Sequence, residues 1–132
     1  PSNLTGQSSS PSATIYEQHN LGAVTKTETV HTTSLDQYCE KHQIKPDVLK
    51  IDVEGNELKV FKGAIQILQK FKPKIIVEIE AIHVGKEQVL ETFSFLNQLG
   101  YQGKIIHGTI HIPIAEFSFE KYQNVDDKKL LQ

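Results

Sequence analysis

The chain has no methionine, no tryptophan and one cysteine among its 132 residues. A single cysteine excludes an internal disulfide, and such sparse cysteine usage weakly indicates a cytoplasmic protein. Cys39 lies on the apolar side of a short predicted helix, where a free thiol packs as a small, inert hydrophobe. Because the sequence starts at Pro1 and lacks methionine altogether, we expect a fragment or a processed product.

Long apolar runs and an excess of one charge sign are also missing. No apolar run approaches the roughly 20 residues that a membrane helix needs, and the polar first residues do not resemble a signal peptide. The net charge is -2 with both signs mixed, which gives no electrostatic basis for binding nucleic acid or an acidic membrane surface. We therefore expect neither partner. The composition, 38% hydrophobic and 23% charged, is that of an ordinary globular domain.

The first residues differ in composition from the rest. Residues 1–12 are rich in Ser, Pro, Gly and Asn and predict a flexible arm, followed by a single α/β domain at residues 13–132. The ranges 13–18 and 24–32 are rich in Thr, Val, Ile or Tyr, which predicts a hairpin at the start of the domain.

Strands and helices alternate in the remaining sequence. Ser34 predicts the N-cap of a short helix, with Gln37 in the capping-box position. Crossover helices between successive strands favour a parallel sheet at the centre, and the last two strands suit an antiparallel pair. The predicted strands cover residues 48–53, 74–80, 101–107 and 110–117. One apolar helical stripe is Leu58, Phe61, Ala64, Ile65, Leu68 and Phe71. A second is Val89, Leu90, Phe93, Leu96 and Leu99, and Gly100 ends that helix.

Charged side chains recur at every second position of the two central strands. Lys50, Asp52 and Glu54 fall on one side of the first strand, and Glu78 and Glu80 fall on one side of the second. Charges are seldom placed in buried strands without a partner or a function. Because ligands of open α/β sheets bind beyond the carboxyl ends of the strands, we expect the acidic ends to converge on one cleft.

Two interpretations of the first acidic pair stay open. Asp52 and Glu54 could orient a substrate or accept a proton from its hydroxyl. In the structural alternative, Asp52 pairs with Lys50 or with a loop amide, and Glu54 caps the helix that follows. Lys50 is more simply interpreted as neutralising the acidic face, with Glu78 as its partner on the next strand.

Glu80 and His83 lie nearest the expected ligand edge. His83 could act as a general base, because an imidazole exchanges protons near neutral pH, although a loop histidine is more often only solvated. The carboxylates and His83 are ligand types for Mg²⁺ or Ca²⁺, but no tight ligand spacing is present, and we assign no metal site. His107 and His111 are interpreted as a surface pair beside a turn.

Several short motifs together resemble the signature of FkbM-type methyltransferases. The resemblance covers most of the chain and is densest between about residues 33 and 80. Its parts are Thr-Ser-Leu-Asp at 33–36, Lys-Ile-Asp-Val-Glu-Gly-Asn-Glu at 50–57, Phe-Lys-Gly-Ala at 61–64, Pro73, and Ile-Val-Glu at 76–78.

This resemblance implies a class I methyltransferase that uses S-adenosylmethionine, often to methylate a hydroxyl of a sugar or another small molecule. It implies a Rossmann-like sheet, of which this chain would supply the C-terminal half. The glycine-rich turn that holds the methionine part of the cofactor has no counterpart here, and we expect the isolated chain to be inactive. Asp52, Glu54 and His83 are the candidate catalytic residues, and Glu80 is the candidate substrate-binding residue.

The alternative is a non-catalytic module. A half-domain of this kind would act as an interaction or structural unit, and an open sheet edge invites pairing with another chain. We therefore expect a homo-oligomer that assembles through the exposed edge.

Overall fold

The computed structural model describes residues 3–9, 12–14 and 27–123. Its elements are β1 (Asn3–Ser9), β2 (Ser12–Thr14), β3 (Thr27–His31), α1 (Leu35–His42), β4 (Val48–Ile51), α2 (Glu57–Lys62), α3 (Ile65–Phe71), β5 (Lys74–Val77), α4 (Ala81–Gln98), β6 (Lys104–His107), β7 (Ile110–Pro113), a 3-10 turn (Ile114–Glu116) and α5 (Phe119–Tyr122). Within these ranges, no helix combines the length and the apolar character needed to cross a membrane. The cytoplasmic location stays a prediction.

The two central strands form a parallel pair, as the sequence predicted. Leu49 lies opposite Ile75 and Ile51 opposite Val77 in the β4–β5 register. The helical crossover between the strands makes this an α/β unit, because parallel neighbours cannot be joined by a tight turn. Both strands end sooner than predicted, so the acidic residues follow the strands and do not lie within them.

One face of the β4–β5 pair carries the core. Phe61 and Leu68, on α2 and α3, have no exposed surface and pack with the buried Ile51. Truncating a buried Phe to Ala typically costs about 3–5 kcal/mol, which makes this cluster the main source of stability. The opposite face is open, and its Val48 and Ile76 are each 55% exposed.

The prediction of one helix from the apolar stripe at 58–71 is wrong, because the structure forms two helices there, α2 and α3. The backbone leaves helical geometry at Ala64 (φ -128°), and α3 starts at Ile65. The carboxylate of Asp36 accepts hydrogen bonds from the N–H groups of Gln66 and Ile67, at 3.0 and 2.9 Å. A distant side chain therefore satisfies the first amides of α3 and stabilises the break.

The short helix α1 forms where the capping pattern predicted it. The Ser34 hydroxyl accepts a hydrogen bond from the Gln37 N–H at 3.2 Å, which satisfies one amide of the first turn. Cys39 is 6% exposed and belongs to the core. Its burial agrees with the interpretation of an inert packing thiol.

The N-terminal segment pairs differently from the expected hairpin. Asn3–Ser9 is a strand, β1, and both β2 and β3 pair with it in the order β2-β1-β3. The predicted pairing of 13–18 with 24–32 is therefore wrong for the residues described, and its turn lies outside them. A polar strand held by backbone hydrogen bonds on both sides leaves little trace in side-chain composition.

The C-terminal part matches the prediction in outline. β6 and β7 pair antiparallel, and Gly100 (φ 83°) follows the end of α4 in the left-handed conformation expected of a helix-terminating glycine. However, α4 starts at Ala81, well before the predicted stripe, and contains a break at Gly85. Because α4 starts at Ala81, His83 lies in its first turn.

Candidate active site: an acidic cleft beyond β4 and β5

The carboxyl ends of β4 and β5 open into one cleft of about 220 Å³. Because the strands are parallel neighbours, the segments that follow them leave the sheet side by side. The predicted convergence of the acidic strand ends is confirmed. The lining residues are Asp52, Glu54, Glu57, Glu78, Glu80 and His83.

The first wall of the cleft is a tight turn after β4. Glu54 and Gly55 both have positive φ, 46° and 104°, which is uncommon for a glutamate. A Cβ on Gly55 would lie 3.0 Å from Val84 Cγ1 and 3.3 Å from His83 Cβ. Only glycine therefore lets this turn approach α4 so closely. The interpretation of Glu54 as the cap of α2 is wrong, because the N-cap is Asn56, whose side chain makes no capping hydrogen bond.

Glu57 stabilises the turn after β4 through its side chain. Its side chain is buried, at 3% exposure, and its Oε1 accepts a hydrogen bond from the Gly55 N–H at 3.0 Å. The Gly55 carbonyl in turn accepts a hydrogen bond from Gln88 Nε2 at 3.2 Å. The position of Glu57, two residues after a turn glycine, is a local signal from which this hydrogen bond could be predicted.

Lys50 pairs with Asp52 and not with Glu78, so the predicted cross-strand pair is wrong. Lys50 Nζ lies 3.2 Å from Asp52 Oδ2, and the two side chains are 67% and 47% exposed. An exposed pair of this kind contributes roughly 0.2–1 kcal/mol. It leaves the Asp52 carboxylate accessible from the cleft. The Glu78 N–H donates to the Ile51 carbonyl at 3.0 Å and holds the second strand end against the first.

The second wall carries an imidazole beside a carboxylate. Glu80 precedes α4, and His83 lies in its first turn, so the expectation of a loop histidine is wrong. His83 Nε2 lies 3.1 Å from Glu80 Oε2, with both side chains partly exposed. A carboxylate in this position orients the imidazole.

The chemistry of the cleft follows from its charge. Five carboxylates and one imidazole favour a cationic group or hydroxyl donors and disfavour an anion. Among the residues that the structure describes, no three His, Cys, Asp or Glu side chains are grouped to hold a metal ion. His107 and His111 are not cross-strand partners, since they lie opposite Ile110 and Ile106.

The chain is similar to known methyltransferases. A family model described as "Methyltransferase FkbM domain" matches residues 1–102, a range that includes all six cleft residues. The hexuronic acid methyltransferase AglP of Haloferax volcanii is 46% identical over 54 residues, which are 40% of this chain and 22% of the relative. The matched segment thus spans about a fifth of that protein. No solved structure gave a match.

Proposed function

Because the chain belongs to the FkbM methyltransferase family, we propose that it is part of an S-adenosylmethionine-dependent enzyme that transfers a methyl group to a hydroxyl oxygen. The observation that carries the proposal is that the family match includes every residue of the acidic cleft. The parallel β4–β5 pair, the antiparallel β6–β7 pair and the cleft beyond the parallel strands are features expected of half of a Rossmann-like sheet.

The cleft is compatible with the charge of the proposed cofactor. S-adenosylmethionine, when bound, supplies an electrophilic methyl group on a positively charged sulfur. The carboxylates of Asp52 and Glu54 would attract that charge at the open edge of the turn after β4. In the described residues, Gly55 serves a strand-to-helix turn that packs against α4. It forms no glycine-rich loop, so a further segment would have to hold the methionine part.

The proposed role of the acid–base groups is to prepare the acceptor hydroxyl. Methyl transfer would form an oxygen–carbon bond while the sulfur–carbon bond breaks, and the hydroxyl proton would have to pass to a base within hydrogen-bond reach, about 2.6–3.2 Å. Asp52, Glu54 and His83 are available for this, and Glu80 orients His83 and the substrate. Much of the rate gain would come from positioning the two reacting groups.

We propose a small molecule or sugar hydroxyl as the acceptor. The relative's name specifies a hexuronic acid, which carries both hydroxyls and a carboxylate. The cleft would repel the carboxylate and accept hydrogen bonds from the hydroxyls. An acidic sugar would therefore bind with a hydroxyl edge toward the cleft and its carboxylate toward solvent.

The proposal is tested by grafting. The segment of AglP that matches this chain is replaced by the present sequence, and transfer of a labelled methyl group to a hexuronic acid acceptor is measured. We expect an active hybrid. We expect the substitutions at the proton-accepting groups to lower its rate of methyl transfer by roughly 10²–10⁴-fold. Asp52→Asn and Glu54→Gln remove the base without changing shape, and Asp47→Asn is the matched control on an exposed aspartate outside the cleft.

The isolated chain is the companion sample. We expect it to show no appreciable methyl transfer and no heat of S-adenosylmethionine binding in calorimetry. Methylation by the isolated chain at the rate of the full-length relative would contradict the half-domain proposal. An active hybrid that tolerates both cleft substitutions would contradict the roles of Asp52 and Glu54.

A non-catalytic interaction module is the second candidate. It is favoured by the open face of the β4–β5 pair, where Val48 and Ile76 are exposed, since parallel sheets are normally covered on both faces. We propose that a second copy of the chain covers it. Sedimentation should give a dimer or larger species, and Ile76→Lys should dissociate it; a monomer at high concentration would contradict this.

A further inference from the structure

A glutamine far along the chain binds the backbone on both sides of Glu80. The carboxamide oxygen of Gln123 accepts a hydrogen bond from the Ala81 N–H at 2.8 Å. Its Nε2 donates to the Ile79 carbonyl at 2.5 Å. One side chain thus satisfies a donor and an acceptor that flank a cleft residue, in the manner of a neighbouring strand.

The backbone that Gln123 binds leads into α4 just before a break in that helix. It lies between the end of β5 and Gly85, whose φ of 79° and ψ of 159° belong to a region that essentially only glycine adopts. Glu80 makes no side-chain cap at the start of α4. The segment that carries Glu80 and His83 is therefore joined to the body of α4 through a sharp bend.

Gln123 itself is anchored by aromatic packing. Phe117 contacts Phe93 of α4 edge to face, with ring centroids 5.3 Å apart. It also contacts Phe119 at 4.7 Å and stacks on Tyr122 at 6.2 Å. These contacts fix α5, and with it the following residue, against the part of α4 beyond the bend. Gln123 therefore connects the bent segment to a rigid part of the molecule.

We propose that Gln123 is a positioning residue of the acidic cleft, whose carboxamide sets where Glu80 and His83 stand opposite the Asp52–Gly55 turn. Gln123 lies outside the range that the family model matches. Its catalytic meaning rests on the proposed function of the cleft, but its effect on the positions of Glu80 and His83 is independent of methyl transfer and can be measured in the chain itself.

The test uses the difference between a carboxamide, a carboxylate and a carboxylic acid. In Gln123→Glu the ionised side chain still accepts from Ala81 but cannot donate to Ile79, and it adds a negative charge beside Glu80. Once protonated, the same side chain donates and accepts as glutamine does. Gln123→Leu removes both hydrogen bonds at every pH.

The outcome is measured by nuclear magnetic resonance. The signals to follow are the Ile79 carbonyl carbon and the His83 ring, recorded at neutral pH and below about pH 4, where a glutamate is largely protonated. For Gln123→Glu we expect both signals to be displaced from the wild type at neutral pH and restored in acid. For Gln123→Leu they should be displaced at both.

Two controls make the comparison specific. The wild type is recorded at the same two values of pH, so that effects of pH unrelated to residue 123 can be subtracted. Gln69→Glu, on the exposed side of α3, adds the same charge outside the cleft and should leave both signals unchanged.

The proposal is overturned if the His83 ring is unaffected while the Ile79 carbonyl responds, or if Gln123→Glu behaves alike at both values of pH. If Gln123→Leu fails to fold, the two protonation states of Gln123→Glu still decide the question within one protein. An inactive hybrid in the grafting experiment combined with the expected signals here would reject the proposed function and leave the role of Gln123 standing.

Discussion

The carboxylate of Asp36, in the first turn of α1, accepts a hydrogen bond from the Ile67 N–H in the first turn of α3 at 2.9 Å. The backbone of Asp36 returns the contact, because its N–H donates to the Gly63 carbonyl at 2.9 Å. These bonds attach α1 to the break between α2 and α3. They connect the Thr-Ser-Leu-Asp segment to the Phe-Lys-Gly-Ala segment and give both motifs a structural explanation.

Replacing Asp36 with Ala should lower the free energy of unfolding by about 1–2 kcal/mol. The substitution leaves the N–H groups of Gln66 and Ile67 without their acceptor, and the part-buried Ile67 amide has limited access to water as a substitute. Urea unfolding followed by circular dichroism measures the change. Asp47→Ala, on an exposed aspartate outside this contact, should change the free energy by less than about 0.5 kcal/mol; equal losses in the two variants would contradict the capping role.

The parallel strands and the acidic cleft could be predicted because their signals are local. Apolar runs of the right length, joined by a helical stripe, indicate a crossover unit, and the pairing of such strands brings their ends together whatever the details. The capping pattern at Ser34 and Gln37 also lies within four residues. In each case the side chains that determine the structure are sequence neighbours.

The parts that could not be predicted depend on contacts between distant residues. Nothing near Gly63 shows that Asp36 will cap a second helix there. The polar β1 is a strand only because β2 and β3 supply hydrogen bonds on both sides. Gln123 binds the backbone of Ile79 and Ala81, which lie 44 and 42 residues earlier in the chain. Side-chain patterns therefore identified the groups that face the cleft but missed those that support it.

Gly55→Ala should distort the cleft, whereas Gly108→Ala should be tolerated. Both glycines have positive φ, 104° and 59°, but a Cβ on Gly55 would lie 3.0 Å from Val84 Cγ1, while nothing lies within 4 Å of one on Gly108. The cost at Gly108 is conformational, roughly 1 kcal/mol. At Gly55 the steric overlap adds to it, and we expect a loss of about 2–4 kcal/mol.

The two glycine variants are compared by thermal unfolding and by the amide signals of His83 and Val84. Displacement of those signals in Gly55→Ala alone is the expected pattern. If Gly108→Ala destabilises the chain as much as Gly55→Ala, backbone conformation explains both effects and the close approach of the turn to α4 has no energetic importance.

Glu57→Gln should be nearly neutral for stability, and Glu57→Leu should not. The amide of a glutamine still presents an oxygen to the Gly55 N–H, which Glu57 Oε1 contacts at 3.0 Å. Leucine fills a similar volume but removes the oxygen that this N–H contacts, at a cost of about 0.5–1.5 kcal/mol. Chemical unfolding of both variants measures the difference. Equal stability of Glu57→Gln and Glu57→Leu would show that the hydrogen bond does not hold the turn.

Tyr101 should make the stability of the fold depend on alkaline pH. Burial raises the pKa of the Tyr101 phenol above its usual value of 10.0, because the partly buried site disfavours the phenolate. The neutral hydroxyl also donates to the Leu68 carbonyl at 3.4 Å. In the unfolded chain the phenol titrates at its ordinary pKa, so between the two pKa values the folded state holds the proton and the unfolded state releases it.

The sign of the effect follows from that difference in bound protons. The contribution of Tyr101 is fully present below about pH 10 and is lost as pH rises through the pKa of the folded state. Chemical unfolding at about pH 9 and about pH 11 should therefore show a larger fall in stability for the wild type than for Tyr101→Phe, which has no phenol to ionise. Ultraviolet titration of the phenolate should also show a late transition that disappears in Tyr101→Phe. If the ultraviolet titration curves of the wild type and of Tyr101→Phe have the same shape, Tyr101 ionises as an exposed residue does. The stability difference between the two proteins would then be independent of pH.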